Sequence, residues 1–341
     1  VADWSDVAYT VLAGAEASVI RAAALRASMA VARDISRLEA AAAEANPLVR
    51  ATALGLLRGY PGPESTRAIN TGLQDDEAII RYTALTALNP ADPAELVDLV
   101  APLLFDPAKA VRGQAAVRLA VAPRELLKPY QAEALDEAIA EYEETMRYSL
   151  DFPFAGHNLA NLYVARGEAG RAEEYYRRAI EIDDLFVPAK MNLAVLYNSQ
   201  GRNEEAEALI RWVLEDEPDN HEAKYSLALL LVETGQPERA LTWLQSAADG
   251  MPQRTRIRYN LGLLQQQLGR LPEAEASLRS AVEAEPDNMG YLYALADHYA
   301  KRGDLQNALT VAERMIATHP EEPMGRDMKA ALEQAIAQGR E

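Results

Sequence analysis

Residues 187–220 read VPAKMNLAVLYNSQGRNEEAEALIRWVLEDEPDN, and the same pattern occurs once before this stretch and three times after it. Three residue types recur at a 34-residue step in all five copies, and proline ends four of them. The recurring positions are Leu159, Leu193, Leu227, Leu261 and Leu295; Gly167, Gly201, Gly235, Gly269 and Gly303; Ala172, Ala206, Ala240, Ala274 and Ala308; and Pro218, Pro252, Pro286 and Pro320. A fixed period of this length indicates a repeat architecture.

Each copy predicts two helices joined by a tight turn. Small or apolar residues recur at helical spacing on both sides of the glycine, as with Leu193 and Tyr197 before Gly201 and Ala206 and Ile210 after it. Alanine suits a close crossing of two helices, glycine permits a positive φ in the turn, and proline followed by Asp or Asn ends one hairpin and caps the next. The repeated unit is therefore a helical hairpin.

Over residues 153–322 these columns resemble the tetratricopeptide repeat (TPR) family, which has a 34-residue helix-turn-helix unit. The sequence departs from that family where Lys190, Lys224 and Arg258 replace the usual Trp or Leu near the start of the first helix. The resemblance implies an all-α fold in which five full repeats form a TPR superhelix.

The same resemblance predicts how the repeats begin and end. Residues 131–152 keep the second-helix half of the register, which predicts a partial leading repeat. Residues 323–341 carry apolar residues at every fourth position around Leu332, as expected of a helix that covers the last exposed seam. With the full repeats, these segments make up a predicted TPR domain over residues 128–341.

A second, shorter repeat precedes this domain. The pairs Ile20-Arg21, Val49-Arg50, Ile80-Arg81 and Val111-Arg112 lie 29, 31 and 31 residues apart, and an alanine follows each arginine by three residues. This pattern resembles HEAT repeats. The resemblance implies that the apolar residue enters the core between repeats and that the arginine contacts a neighbouring acidic turn. We therefore expect a HEAT-like array over residues 1–127 with structural arginines, and an α-solenoid made of both arrays.

The composition excludes several classes of function. The 341 residues include 52 Asp plus Glu, 34 Lys plus Arg and no Cys, for a formal charge of −18. The lack of cysteine excludes disulfides, thiolate zinc sites and cysteine nucleophiles. The negative charge disfavours nucleic acid and anionic lipid as partners, and no apolar run approaches the roughly 20 residues that a membrane span needs. The composition leaves the oligomeric state open.

No catalytic or cofactor motif accompanies the repeats. The four histidines are isolated, no serine lies in a Gly-x-Ser-x-Gly motif, and the glycine motifs that bind dinucleotides and phosphates do not occur. We therefore predict a protein that is not an enzyme and has no catalytic residue, cofactor or metal.

The predicted binding surface is the groove that stacked hairpins form from their first helices. In the TPR family, the residues around the repeated leucine include those that face this groove. The register places there His157, Asn158, Asn161, Asn192, Asn198, Tyr225, Arg256, Tyr259, Asn260, Gln266 and Tyr293. Asn can donate to and accept from a peptide backbone, and Tyr offers a wide contact at low entropic cost. The predicted function is a scaffold that binds a peptide or a partner protein.

A different interpretation of these residues stays open. In it, the Asn side chains tie adjacent repeats together and the Tyr rings fill the gaps between them. Beside these residues, Arg254, Arg256 and Arg258 form a basic patch at the start of one first helix. Such a patch predicts a docking point for an acidic ligand.

Two further resemblances are weaker. A TPR variant that binds a C-terminal carboxylate has Asn at the positions of Asn161 and Asn192, but here His157, Glu222 and Ser226 replace its cations, which disfavours that ligand. The order of the two arrays, with the Trp4-Ser5-Asp6 entry, resembles the C-terminal region of some bacterial multihaem c-type cytochromes. That alternative implies a periplasmic docking domain of a redox enzyme whose catalytic part lies upstream; otherwise we expect a cytoplasmic protein.

Overall fold

The structure is a computed structural model, and it describes residues 41–42, 46–60 and 62–338. The regular secondary structure of these residues is entirely helical, which confirms the predicted all-α solenoid. The predicted Ile20-Arg21 pair and the Trp4-Ser5-Asp6 entry lie outside the described residues. The helices fall into two compact units, of which unit 1 ends at Ile182 and unit 2 begins at Asp183. This division lies within the predicted TPR domain, and the domain boundary at 127/128 stays a prediction.

Unit 1 contains the helices α1 to α8 and two short 3-10 helices, Ala101–Phe105 and Arg124–Leu126. The helices are α1 (Pro47–Leu57), α2 (Pro63–Gly72), α3 (Ala78–Ala87), α4 (Pro93–Val100), α5 (Lys109–Leu119), α6 (Pro129–Tyr148), α7 (Pro153–Ala165) and α8 (Ala169–Ile182). Helix α6, in the segment predicted as a partial repeat, is 20 residues long. Helices α7 and α8 are the hairpin of the first full repeat.

Three arginines of unit 1 form ion pairs with carboxylates 25 or 29 residues further along the chain. The pairs are Arg50–Asp75 at 2.8 Å, Arg81–Asp106 at 2.6 Å and Arg112–Glu141 at 2.7 Å. The apolar residue before each arginine is buried in the core. The contacts implied by the HEAT resemblance are therefore present, although the last acceptor, Glu141, lies within helix α6 instead of a turn. Membership of the HEAT family stays a prediction.

Unit 2 contains four hairpins and a final helix. Its helices are α9 (Val187–Ser199), α10 (Asn203–Asp216), α11 (His221–Glu233), α12 (Pro237–Gly250), α13 (Thr255–Gln267), α14 (Leu271–Ala284), α15 (Met289–Lys301), α16 (Leu305–Thr318) and α17 (Pro323–Gln338). In each hairpin a 13-residue helix is followed by a 14-residue helix. The glycine between them has φ between +72° and +78°, as the repeated glycine predicts. Helix α17 packs on α16 and buries Leu332.

The two helices of each hairpin cross closely because small residues lie between them. Ala206 and Ala240 are fully buried at their crossings. Gly262 approaches α14 so closely that a Cβ atom added to it would lie 2.7 Å from Cγ of Leu278. These contacts are the physical reason for the repeated columns of small residues.

The departures from the TPR pattern are accommodated within the hairpins. The Lys190 side chain is fully buried, its Nζ donates to Asp216 at 2.7 Å, and it lies 3.8 Å from the centre of the Trp212 ring. Arg258 donates to Ser280 at 2.8 Å. In both cases the alkyl part fills the position of a larger apolar side chain, while the second helix of the hairpin satisfies the charged end.

Candidate protein-binding surface

The first helices of unit 2, α9, α11, α13 and α15, are joined by polar side chains that were predicted to line the groove. The Nδ2 atom of Asn260 donates to the hydroxyl of Tyr225 at 2.7 Å. The Nδ2 atom of Asn198 donates to Glu233 at 3.0 Å. Because each bond connects neighbouring repeats, these residues fit the interpretation in which Asn side chains tie repeats together.

A similar connection joins α13 to α15. Gln266 donates to Asp297 at 3.2 Å and lies 2.8 Å from Nδ1 of the fully buried His298. Burial lowers the pKa of His298, because the charged imidazolium would be desolvated. The rings of Tyr259 and Tyr291 also meet across these helices, with centroids 4.9 Å apart.

Other predicted groove residues face outward. Tyr293 is 43% exposed, Arg256 is exposed, and Asn192 is half-buried on α9. Arg254 pairs with Glu222 at 2.6 Å and Arg258 turns toward Ser280. Of the predicted basic patch, Arg254 alone forms an ion pair with a carboxylate among the described residues.

The most apolar feature of this face is absent from the predicted set of groove residues. Val195, Leu229 and Leu263 occupy the position two residues after the repeated leucine on α9, α11 and α13, and they are 65%, 41% and 36% exposed. We call these three residues the apolar column. The same register position holds Asn161 and Asp297, so the spacing that selected Asn161 could also have identified the column. Val195 and Leu229 line a small cavity of about 240 Å³ between α9, α10 and α11.

The groove residues predicted in the first full repeat lie in unit 1. Oδ1 of Asn161 accepts a hydrogen bond of 2.5 Å from Tyr176, and Nδ2 of Asn158 makes a weak contact of 3.9 Å with the sulfur of Met146. The ring of His157 is 5.9 Å from the ring of Tyr176, and burial lowers the His157 pKa.

Asn158 and Asn161 also line a cavity of about 570 Å³ at the meeting of α3, α5, α6 and α7, which we call the α5–α7 cavity. The other lining residues are Tyr82, Lys109, Ala110, Gly113, Gln114, Val117, Tyr142, Thr145 and Met146. Sequence reasoning missed these residues because it considered only the first helices of the full repeats, whereas these residues belong to the shorter repeat and to α6, which holds the second-helix half of the register.

The described residues contain no group of three or more His, Asp or Glu side chains placed to hold a metal ion. In the same part of the chain, none of the helices combines the length and the apolar character that crossing a bilayer requires.

Paired helices of 13 and 14 residues, joined at a positive-φ glycine and crossing at buried alanines, define an α-helical repeat protein. Two family models described as tetratricopeptide repeat match residues 163–230 and 259–323, and a model described as anaphase-promoting complex, cyclosome, subunit 3 matches residues 199–281. The chain is a tetratricopeptide repeat protein over the residues that these models match, which confirms the TPR resemblance. TPR proteins bind protein or peptide partners and are generally non-catalytic, so the chain belongs to a class of interaction scaffolds.

Several solved structures are similar to this chain. YrrB, described as a TPR protein with an unusual peptide-binding site, is 24% identical with a TM-score of 0.48, over 55% of this chain and 97% of that chain. MamA 41-end from Desulfovibrio magneticus RS-1 is 18% identical with a TM-score of 0.45, over 53% and 97%. MamA AMB-1 is 22% identical with a TM-score of 0.44, over 49% and 99%. No curated protein matches the chain.

Proposed function

We propose that the first-helix face of unit 2 binds an extended segment of a partner protein, and that the chain works by holding this partner and not by catalysis. The apolar column is the observation that carries the proposal. Single exposed hydrophobic residues are normal on protein surfaces, but three at the same register position of consecutive repeats form a continuous stripe.

The column supplies free energy for binding. Complete burial of one Val or Leu side chain contributes about 1.5–3 kcal/mol, so covering the exposed parts of three such side chains contributes several kcal/mol before the cost of association. The half-buried Asn192 and the exposed Tyr293 and Arg256 lie on the same set of helices. Within this proposal they hydrogen-bond or stack against the bound segment.

The spacing of the column sets the pattern of the partner. Packed helices lie about 8–10 Å apart, and an extended chain in the polyproline II conformation rises about 3.1 Å per residue with about three residues per turn, so every third side chain faces the same way. An extended segment that crosses the first helices therefore meets one member of the column at about every third residue. We expect its apolar side chains to follow that period.

The net charge of unit 2 predicts a second property of the partner segment. Residues 183–341 contain 26 acidic and 16 basic residues, a net charge of −10. This field attracts a basic segment, although screening restricts it to about 8–10 Å at physiological ionic strength. The proposed partner segment therefore carries Lys or Arg between its apolar residues.

A peptide selection tests the proposal. Peptides of about ten residues would be selected from a random library on the full chain, and their dissociation constants measured for the wild type and for Val195→Asp. We expect apolar residues at a three-residue period, basic residues between them, and at least tenfold weaker binding to Val195→Asp. Val121→Asp is the matched control, because Val121 in unit 1 is 63% exposed, close to the 65% of Val195. Equal loss in both variants, or no loss in Val195→Asp, would show that the column is not the binding surface.

A further inference from the structure

The α5–α7 cavity has the size of a ligand site and lies wholly within unit 1. Its volume of about 570 Å³ falls within the range of about 300–1,000 Å³ that small-ligand pockets occupy. One face of helix α5 supplies Ala110, Gly113, Gln114 and Val117, which follow each other at helical spacing. Its residues differ from those of the apolar column, so the cavity is independent of the proposed function.

One cationic side chain lines this cavity. Among the described residues that line it, Lys109 alone carries a charge at neutral pH. The nearest carboxylate oxygen to the Lys109 ammonium belongs to Glu141 at 3.9 Å, which is too far for a hydrogen bond. Glu141 is already held by Arg112 at 2.7 and 3.0 Å. The Lys109 side chain is 51% exposed, and its ammonium is near Glu141 without a hydrogen bond to it, so its N–H groups can donate to a ligand.

A neutral polar group stands on the same helix as this cation. The side-chain amide of Gln114 has no hydrogen-bond partner among the described residues, so its N–H groups can donate to a ligand. The phenol of Tyr142 is neutral at physiological pH, and burial raises its pKa further, to about 12. The cavity thus offers donors to an anion and places no negative group on its lining.

The remaining lining is apolar. Val117 and Met146 belong to it, and the ring of Tyr142 approaches α5 so closely that a Cβ atom on Gly113 would lie 3.0 Å from its Cδ2 atom. A bare inorganic anion would leave these surfaces uncovered. An anion carried on an apolar body would cover them and also reach Lys109.

We propose that the α5–α7 cavity binds a carboxylate attached to an apolar body, with Lys109 pairing with the carboxylate, Gln114 donating a hydrogen bond to it, and Tyr142, Val117 and Met146 covering the apolar part. Two sources share this chemistry: a small aliphatic or aromatic acid, and the carboxyl end of a protein chain. The cavity accommodates the terminal residue in either case.

Titrations followed by NMR test this site in the full chain. The methyl group of Met146 would be labelled, and three probes added separately: N-acetylphenylalanine, its C-terminal amide, and a hexapeptide ending in a phenylalanine carboxylate. We expect saturable shifts of the Met146 methyl with the two carboxylates and at least tenfold weaker binding of the amide, since an ionised acceptor strengthens the bond. A hexapeptide that binds at least tenfold tighter than the amino acid identifies a chain end as the ligand, and equal affinities identify a small acid.

Two variants locate the site. Lys109→Met keeps the length of the side chain and removes its charge, and we expect at least tenfold weaker binding of both carboxylates, while Lys329→Met on α17 has no effect. Ala110→Trp places a large side chain at an exposed lining position and should abolish the Met146 shifts without unfolding the chain. The proposal is wrong if the amide binds as tightly as the acid, or if Lys109→Met binds both carboxylates as tightly as the wild type does. It is also wrong if no probe shifts the Met146 methyl at a concentration of about 5 mM, which exceeds a weak dissociation constant of about 1 mM.

Discussion

Asn260 on α13 donates a hydrogen bond of 2.7 Å to the hydroxyl of Tyr225 on α11, which connects two consecutive repeats of unit 2. Both residues were predicted to line the groove, and the structure shows that they bond to each other. A hydrogen bond between repeats stabilises the interface that adjacent hairpins share, and such interfaces largely set the stability of repeat proteins.

Removing this bond should lower stability. For Tyr225→Phe we expect a loss of about 1 kcal/mol in the free energy of unfolding, because the amide of Asn260 loses its partner in a partly buried site. Asn260→Ala should cost a similar amount. Urea unfolding of both single variants and of the double variant would give the coupling energy between the two side chains. A coupling energy near zero would show that the bond does not contribute to the interface.

The close approach of α7 and α8 predicts that substitution by alanine has opposite effects on stability at two glycines. A Cβ atom at Gly156 would lie 2.9 Å from the backbone carbonyl oxygen of Tyr175, which cannot move without displacing the helix. We expect Gly156→Ala to cost about 1–3 kcal/mol by overpacking. Gly170 on α8 has no atom within 4 Å of such a Cβ, so Gly170→Ala should stabilise by about 0.5 kcal/mol through helix propensity. Thermal melts that rank the two variants in the opposite order would contradict this crossing.

The pair of Arg112 and Glu141 predicts how unit 1 responds to acid. Hydrogen bonds from Arg112 hold the pKa of Glu141 below its ordinary value. A depressed folded-state pKa contributes stability that is present above the unfolded pKa of about 4.3 and is lost as the pH falls through the lower folded value. Glu141→Gln should therefore lower the melting temperature at pH 7, and its difference from the wild type should shrink toward pH 3.

The control for this titration is Glu133→Gln, an exposed glutamate on the same helix that forms no ion pair among the described residues. We expect its melting curve to follow the wild type at each pH. A constant difference between Glu141→Gln and the wild type from pH 7 to pH 3 would mean that the carboxylate charge does not stabilise the fold.

The buried His298 predicts a second dependence on pH, in unit 2. Burial lowers its pKa, so the folded state prefers the neutral ring and its stability falls as the pH drops below the unfolded histidine value of about 6.5. The corresponding position is leucine in the other four repeats. His298→Leu should lower the free energy of unfolding by about 1 kcal/mol at pH 7.5, because Gln266 loses its hydrogen-bond partner. Between pH 7.5 and pH 5.5, this variant should lose less stability than the wild type does.

Urea unfolding at the two pH values measures this effect, with His319→Leu as the control at a histidine that is not fully buried. The control should keep the wild-type slope against pH. An unchanged slope in His298→Leu would mean that His298 does not titrate with unfolding.

The hairpins could be predicted because their causes are local and repeated. A positive φ at Gly201 and full burial of Ala206 follow from the 34-residue columns, since a turn and a close crossing admit few residue types. The arginines of the shorter repeat were likewise expected to contact acidic groups, and Arg81 and Asp106 do so.

The candidate binding surface was predictable only in part. The register placed Asn260 and Tyr225 on first helices of unit 2, but spacing along one chain does not show whether a polar side chain meets a ligand or its neighbour in the next repeat. The prediction selected polar residues such as Asn192 and Tyr293. It left out Val195 and Leu229, which are exposed on the same face. Their register position is that of Asn161 and so points to the groove, but apolar residues on an amphipathic helix are usually expected in the core, and the structure gives the extent of their exposure.

Periodicity in the chain was sufficient to establish the helices, their turns and the TPR family, because each hairpin is specified by contacts within some 34 residues. The contact of Asn260 with Tyr225 and the meeting of Lys109 with Tyr142 around one cavity required the folded coordinates. Those residues come from different repeats or different repeat types, and the distance between them depends on how whole helices pack, which no local pattern encodes.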